Sequence, residues 1–148
     1  MNKAIISCDG LAEPANPGHA IWAFVAIPPD DRAVITQAGY IGPEISNNVA
    51  EYYAVGMALK YASDQQWQAV EVWTDSLVVV RQVTGDWRCN RDSLIRLRDR
   101  IRTLSQQFAQ FSLQWHPREQ NHLPDRACRE LYKSMFGAYP PERERKRS

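Results

Sequence analysis

Residues 47–63, Asn47-Asn48-Val49-Ala50-Glu51-Tyr52-Tyr53-Ala54-Val55-Gly56-Met57-Ala58-Leu59-Lys60-Tyr61-Ala62-Ser63, decide how this chain folds. At 100° per residue Ala54, Val55, Ala58 and Ala62 share one face, so the stretch reads as a helix capped by Asn47 or Asn48. Glu51 falls in the middle of that apolar face. A carboxylate there has no capping role, and burying it unpaired costs on the order of several kcal/mol. Glu51 therefore needs a partner from elsewhere in the chain.

The segments around the helix supply the frame. Upstream, residues 3–9 read as a strand. The turn Glu13-Pro14-Ala15-Asn16-Pro17-Gly18 leads to a second strand at 20–27 with Trp22, Phe24 and Val25. Pro28-Pro29-Asp30-Asp31 turns the chain into a third strand at 33–40. Short turns make these three an antiparallel meander. Downstream the pattern alternates: a strand at 69–75, a short helix from Ser76 through Val83 ended by Gly85, and a longer helix over about 91–108. That helix carries Leu94, Leu97, Ile101, Leu104 and Phe108 at helical spacing. A fifth strand at 111–116 and a closing helix at 123–136 complete the order βββαβααβα. A meander joined to strands that return through helices predicts an α/β fold, a five-stranded mixed sheet with three antiparallel strands, parallel additions and flanking helices.

Length and composition set limits. At 148 residues the chain fits one domain, expected over 1–138, with a charged, disordered tail at 139–148. Cys8, Cys89 and Cys128 form no C-x-x-C spacing, which disfavours a disulfide framework or zinc knuckle and predicts a reducing, cytoplasmic setting. The apolar run after Met1 is broken too soon, by Asp9, for a secretory leader, and no stretch predicts a membrane span. Net charge is +1. Such a balance does not advertise nucleic-acid binding, so any such binding must come from local patches or bound metal.

Three further carboxylates stand beside Glu51 in importance. Asp9 closes the first strand before Gly10, Asp75 closes the fourth, and Asp125 opens the last helix behind Pro124. Singly each has a structural explanation: a turn at Asp9-Gly10, a helix cap at Asp75, a dipole-matched acid at Asp125. Together with Glu51 they form a set that would repel itself without a cation among its members, a candidate divalent-metal site for phosphodiester chemistry.

Four stretches extend this reading: Cys8-Asp9-Gly10 with Asn16-Pro17-Gly18; Asn47-Asn48-Val49-Ala50-Glu51; Thr74-Asp75-Ser76 with Val80-Arg81-Gln82-Val83-Thr84-Gly85; and Pro117-Arg118-Glu119-Gln120-Asn121 leading to Asp125. In this order and spacing, from residue 3 to about 136, the chain resembles the type 1 ribonuclease H family, in the compact form without the basic protrusion. It departs in Leu11, in a loop from Asp9 to Asn16 that is one residue longer, and in His19-Ala20-Ile21-Trp22 after the Pro-Gly.

The resemblance implies a ribonuclease H-like fold and an endonuclease hydrolysing the RNA strand of an RNA/DNA hybrid, leaving 5′-phosphate and 3′-hydroxyl ends. It implies two Mg²⁺ ions, with Mn²⁺ as a substitute, held ~3.5–4 Å apart. Asp9 would bridge both, Glu51 and Asp75 completing one site and Asp125 the other. Asn47 and Asn48 are candidate contacts to the 2′-hydroxyls of the hybrid, with helix capping as the alternative. Asn16 is a contact or a turn former, and Ser76 a phosphate contact or a cap. Arg118 is favoured over His116 and His122 as the residue assisting catalysis. Trp87, in the link between helices, is the tryptophan to test for stacking on a sugar or base; Trp22, Trp67, Trp73 and Trp115 are expected mostly in the core. Arg91, Arg96, Arg98, Arg100 and Arg102 are expected on a solvated helix face. No obligate protein partner is expected, and the chain is taken as a monomer. Two rivals are a catalytically silent binding or dimerisation module, which a missing acid would have favoured, and a DNA-cutting enzyme, against which Asn47-Asn48-x-x-Glu51 argues.

Overall fold

The computed structural model describes residues 2–30 and 32–141. The chain lays down β1 (Ala4–Glu13), β2 (Gly18–Ile27) and β3 (Ile35–Ile45), then α1 (Asn47–Asp64) and β4 (Ala69–Thr74). It continues through α2 (Leu77–Thr84), α3 (Asp92–Ser105), β5 (Gln110–Trp115) and α4 (His122–Phe136). In space the strands run β3-β2-β1-β4-β5. β1 sits at the centre, antiparallel to β2 and parallel to β4, and β4 is parallel to β5. The architecture is the mixed α/β sheet that the sequence predicts.

The two-residue period of β1 divides the core between the faces. Ile6 and Cys8 join Tyr52, Val55, Ala58 and Leu59 of α1, Val70 and Val72 of β4, and Leu94 and Ile101 of α3. On the opposite face Leu11 packs with Ile21, Ala23, and Cys128 and Tyr132 of α4. Fully burying each large aliphatic side chain contributes about 1.5–3 kcal/mol, so the α1 side supplies most of the stability. No described helix is long and apolar enough to cross a membrane.

Several elements differ from expectation. β1 does not close at Asp9. Its ladder with β2 continues through Asp9↔Ala23 to Glu13↔His19, so backbone pairing carries the strand past the acid. The cap of α1 is Ser46, whose hydroxyl accepts the Val49 N–H at 3.2 Å, rather than Asn47 or Asn48. α3 stops at Ser105, and Phe108 is buried beyond its end. Arg102 is not part of a solvated face: its guanidinium donates to Val83 O at 3.0 Å and Gln82 O at 3.1 Å, satisfying carbonyls at the end of α2. Trp115 is exposed. Tyr139, expected in a disordered tail, folds back so that its hydroxyl donates to Glu130 Oε1 at 2.7 Å and Lys133 lies over its ring. Residues 142–148 of that tail lie outside the described residues, as does Asp31 of the Pro28–Asp31 turn.

Candidate metal centre

The site forms where β1 and β4 part company. Cys8↔Thr74 is the last pair of their parallel ladder, so Asp9 follows it on β1 and Asp75 is the first residue past the end of β4. Carboxyl ends of parallel strands are the usual ligand crevice of open α/β sheets. Glu51 arrives from α1, and Gly10 lets it. A Cβ on Gly10 would lie 2.3 Å from Ala50 C and 2.5 Å from Glu51 N, so only glycine lets the helix backbone rest on the strand. The Gly10 N–H then donates to Glu51 Oε1. Asp9, Glu51 and Asp75 each offer an oxygen, and these oxygens lie within 4.8 Å of one another. The residues are 0 %, 3 % and 8 % exposed.

Three carboxylates at that separation repel by roughly 3 kcal/mol per pair even at an effective dielectric of about 20. Their field reaches Cys8, whose thiol is held well above its ordinary pKa by burial first and then by the charges of Glu51 and Asp9. A cluster of carboxylate oxygens, with neither thiolate nor imidazole in it, matches hard divalent ions of the Mg²⁺ or Mn²⁺ type. The residues present fit such an ion.

The other predicted residues take varied places. Asp125 is half-buried in the first turn of α4 and is not in the 4.8 Å group. One turn further on, Cys128 donates its thiol hydrogen to Asp9 O at 3.5 Å, so Asp125 shares a helical face with a residue touching the Asp9 backbone. Asn16 accepts the Asn47 N–H at 2.9 Å, tying the β1–β2 turn to the start of α1. With Ser46 and Asn16 serving the helix end, the side chains of Asn47 and Asn48 remain on its outer first turn, Asn48 exposed. Ser76 is 1 % exposed and its hydroxyl accepts the Val79 N–H at 3.2 Å; it caps α2, the alternative to holding a phosphate. Arg118 is exposed on a one-turn 3₁₀ helix (Arg118–Gln120), and His122 is exposed at the start of α4. Trp87 is exposed on the α2–α3 link, beside a cavity of ≈ 450 Å³ lined also by Arg88, Arg98 and Arg102.

One residue was given no role by the sequence reading. Asn121, 0 % exposed, donates through Nδ2 to Cys8 O at 2.7 Å and meets His116 Nε2 at 2.6 Å through Oδ1. Its position four residues before Asp125 was the available signal.

Residues 7–130 match the family described as reverse transcriptase-like. A ribonuclease HI of Halobacterium salinarum is 35 % identical over 122 residues, 82 % of this chain and 60 % of that protein. The crystal structure of an RNase H1 from the same archaeon superposes with a TM-score of 0.83 at 32 % identity, covering 89 % of this chain and 98 % of the other. LC11-RNase H1, solved in complex with an RNA/DNA hybrid, gives a TM-score of 0.79 at 28 % identity, covering 89 % and 99 %. The chain also matches three mycobacterial proteins at 31 % identity, spanning 34 % of their length. The chain belongs to the type 1 ribonuclease H family.

Proposed function

We propose that this chain is a divalent-metal-dependent endoribonuclease acting on the RNA strand of RNA/DNA hybrids. The observation that carries the reading is the buried group of Asp9, Glu51 and Asp75, with oxygens within 4.8 Å, in a chain similar to an RNase H1 that was solved with such a hybrid. Asp9, Glu51, Asp75 and, from α4, Asp125 are the residues that would hold the metal. Two Mg²⁺ ions bound there, with Mn²⁺ able to substitute, would activate a water and neutralise charge on the scissile phosphate and the leaving 3′ oxygen. The expected products carry 5′-phosphate and 3′-hydroxyl ends.

The chain's own groups do the rest. Gly10 N–H fixes the rotamer of Glu51 toward the crevice. The amides of Asn47 and Asn48, on the first turn of the helix that carries Glu51, are placed to hydrogen-bond 2′-hydroxyls in the shallow groove of the hybrid. Asn16 acts indirectly, by holding that turn. Arg118, exposed close before Asp125, is the candidate to assist catalysis from the substrate side. The reading takes the chain to work as a monomer in a reducing cytoplasm, in keeping with its buried free thiols Cys8, Cys89 and Cys128.

A strand-labelled RNA/DNA hybrid, incubated with and without chelator beside DNA-only and RNA-only duplexes, tests the proposal. Cleavage of the RNA strand is expected with Mg²⁺ and none with chelator. Asp9→Asn should lower the rate about a thousandfold or more, the loss of several kcal/mol of charge stabilisation. Absence of cleavage of any RNA-containing duplex contradicts the reading. Asn48→Ala should raise KM for the hybrid by about tenfold, the worth of one buried polar contact, with the metal requirement unchanged; an unaltered KM would remove Asn48 from the substrate interface.

A further inference from the structure

We propose that Asn121, oriented by His116, is a positioning residue that sets the spacing of Asp9, Asp75 and Asp125 and thereby the affinity of the site for its divalent ion. The inference rests on reading those carboxylates as a metal centre. Asn121 is fully buried, and its contacts run to Cys8 beside Asp9, to Asp125 itself, and to His116, which is bonded to Thr74 beside Asp75. Its Nδ2 donates to the carbonyl of Cys8, the residue before Asp9, across 113 positions of sequence. Its own carbonyl accepts the Asp125 N–H at 3.3 Å, opening the helix that carries Asp125. One residue thus joins the two: its side chain holds the backbone beside Asp9, and its main-chain carbonyl holds the backbone of Asp125.

Cys8 is where such a bond is needed. Its pair with Thr74 is the last of the β1–β4 ladder, and past it β4 turns away while β1 runs on. The Asn121 amide takes up the Cys8 carbonyl at that parting. With Nδ2 donating there, Oδ1 is left as the acceptor toward His116, so the imidazole must carry its hydrogen on Nε2.

His116 is itself anchored to the third carboxylate's strand. Its backbone N–H donates to Thr74 O at 3.1 Å, and its ring stacks on Trp73 with centroids 5.3 Å apart and planes 28° from parallel. The neighbouring Trp115 indole donates to Asp75 O at 3.2 Å. Thr74, Asp75, Cys8, Asn121 and Asp125 are therefore bound into one hydrogen-bonded braid beneath the carboxylates. Residues that orient metal ligands without touching the ion change affinity by about 10–100-fold when removed.

Calorimetric titration of Mn²⁺ into the chain, together with cleavage rates across a Mg²⁺ series, tests the proposal. Asn121→Ala should weaken Mn²⁺ binding about tenfold. It should raise half-saturating Mg²⁺ to a similar degree, leave KM for the hybrid within about twofold, and recover kcat at high Mg²⁺. His116→Phe keeps the ring on Trp73 but removes the donor to Asn121; it should shift metal affinity in the same direction, about threefold, and it decides the matter if Asn121→Ala does not fold. Lower melting temperatures with unchanged Mn²⁺ affinity in both variants would overturn the proposal, leaving Asn121 a purely structural amide. A wild-type chain that binds Mn²⁺ but does not cut hybrid would remove the proposed activity while the affinity comparison still stands; one that binds no Mn²⁺ would remove both.

Discussion

Glu51 and Glu71 are the same side chain in opposite surroundings. Glu71, on β4, accepts from Lys3 Nζ at 2.7 Å and from the Trp73 indole at 2.8 Å. Glu51, on α1, is 3 % exposed and shares its crevice with Asp9 and Asp75. Hydrogen bonds from Lys3 and then Trp73 hold the Glu71 carboxyl below its usual range, whereas the Cys8 thiol beside Glu51 is pushed well up, by burial first and then by the charges of Glu51 and Asp9. One glutamate is placed so that folding is favoured by its charge. The other is brought by folding within 4.8 Å of two like-charged groups, whose repulsion a cation would offset. The difference teaches where this chain gives up stability for chemistry.

Breaking the acidic end has the larger effect. Gly10→Ala drives a methyl into the α1 backbone at Ala50 and Glu51, where neither strand nor helix can yield cheaply. A loss of about 3 kcal/mol is expected in denaturant unfolding, along with loss of hybrid cleavage as Glu51 is pushed from its seat. Wild-type stability in that variant would mean that the strand–helix contact is looser than drawn.

Breaking the paired end should be mild. Lys3→Ala removes an exposed pair worth only a few tenths of a kcal/mol, with cleavage intact. The sign follows from the lowered Glu71 carboxyl: its contribution is present above the unfolded-state value, near 4.5, and is lost as pH falls through the lower folded-state value. Melting curves of wild type and Lys3→Ala should therefore differ slightly at neutral pH and converge in acid. A gap that widens in acid would show the pairing to be misjudged.

The sequence revealed the mixed sheet and the order of elements along the chain because the hydrophobic periods of β4 and α3 are regular, and because turn residues punctuate the meander. It placed Glu51 on a buried stripe for a sound reason, the cost of an acid among Ala54, Val55 and Ala58. It stopped β1 at Asp9 for an unsound one, since polarity does not end a strand whose ladder with β2 continues. Capping by Ser46 was hidden by two asparagines that follow it and suit the same position. Asn121 stayed out of sight because its partners, Cys8 and His116, are chosen by tertiary contact and leave no periodic trace. Trp115 looked like core, but β5 is an edge strand and its last residue faces solvent.

Thermal melts of wild type and Glu51→Gln, each in chelator and in millimolar Mg²⁺, test the central claim most directly. The glutamine keeps one oxygen to accept the Gly10 N–H, exchanges the other for an amide NH2 and removes the charge. In chelator the variant should melt higher, by about 2–4 °C for each 1 kcal/mol of repulsion relieved; Mg²⁺ should raise the wild type and leave the variant nearly unmoved. Equal melting in chelator and equal response to Mg²⁺ would contradict the account, because Glu51 would then be an ordinary buried acid and not part of a cation site.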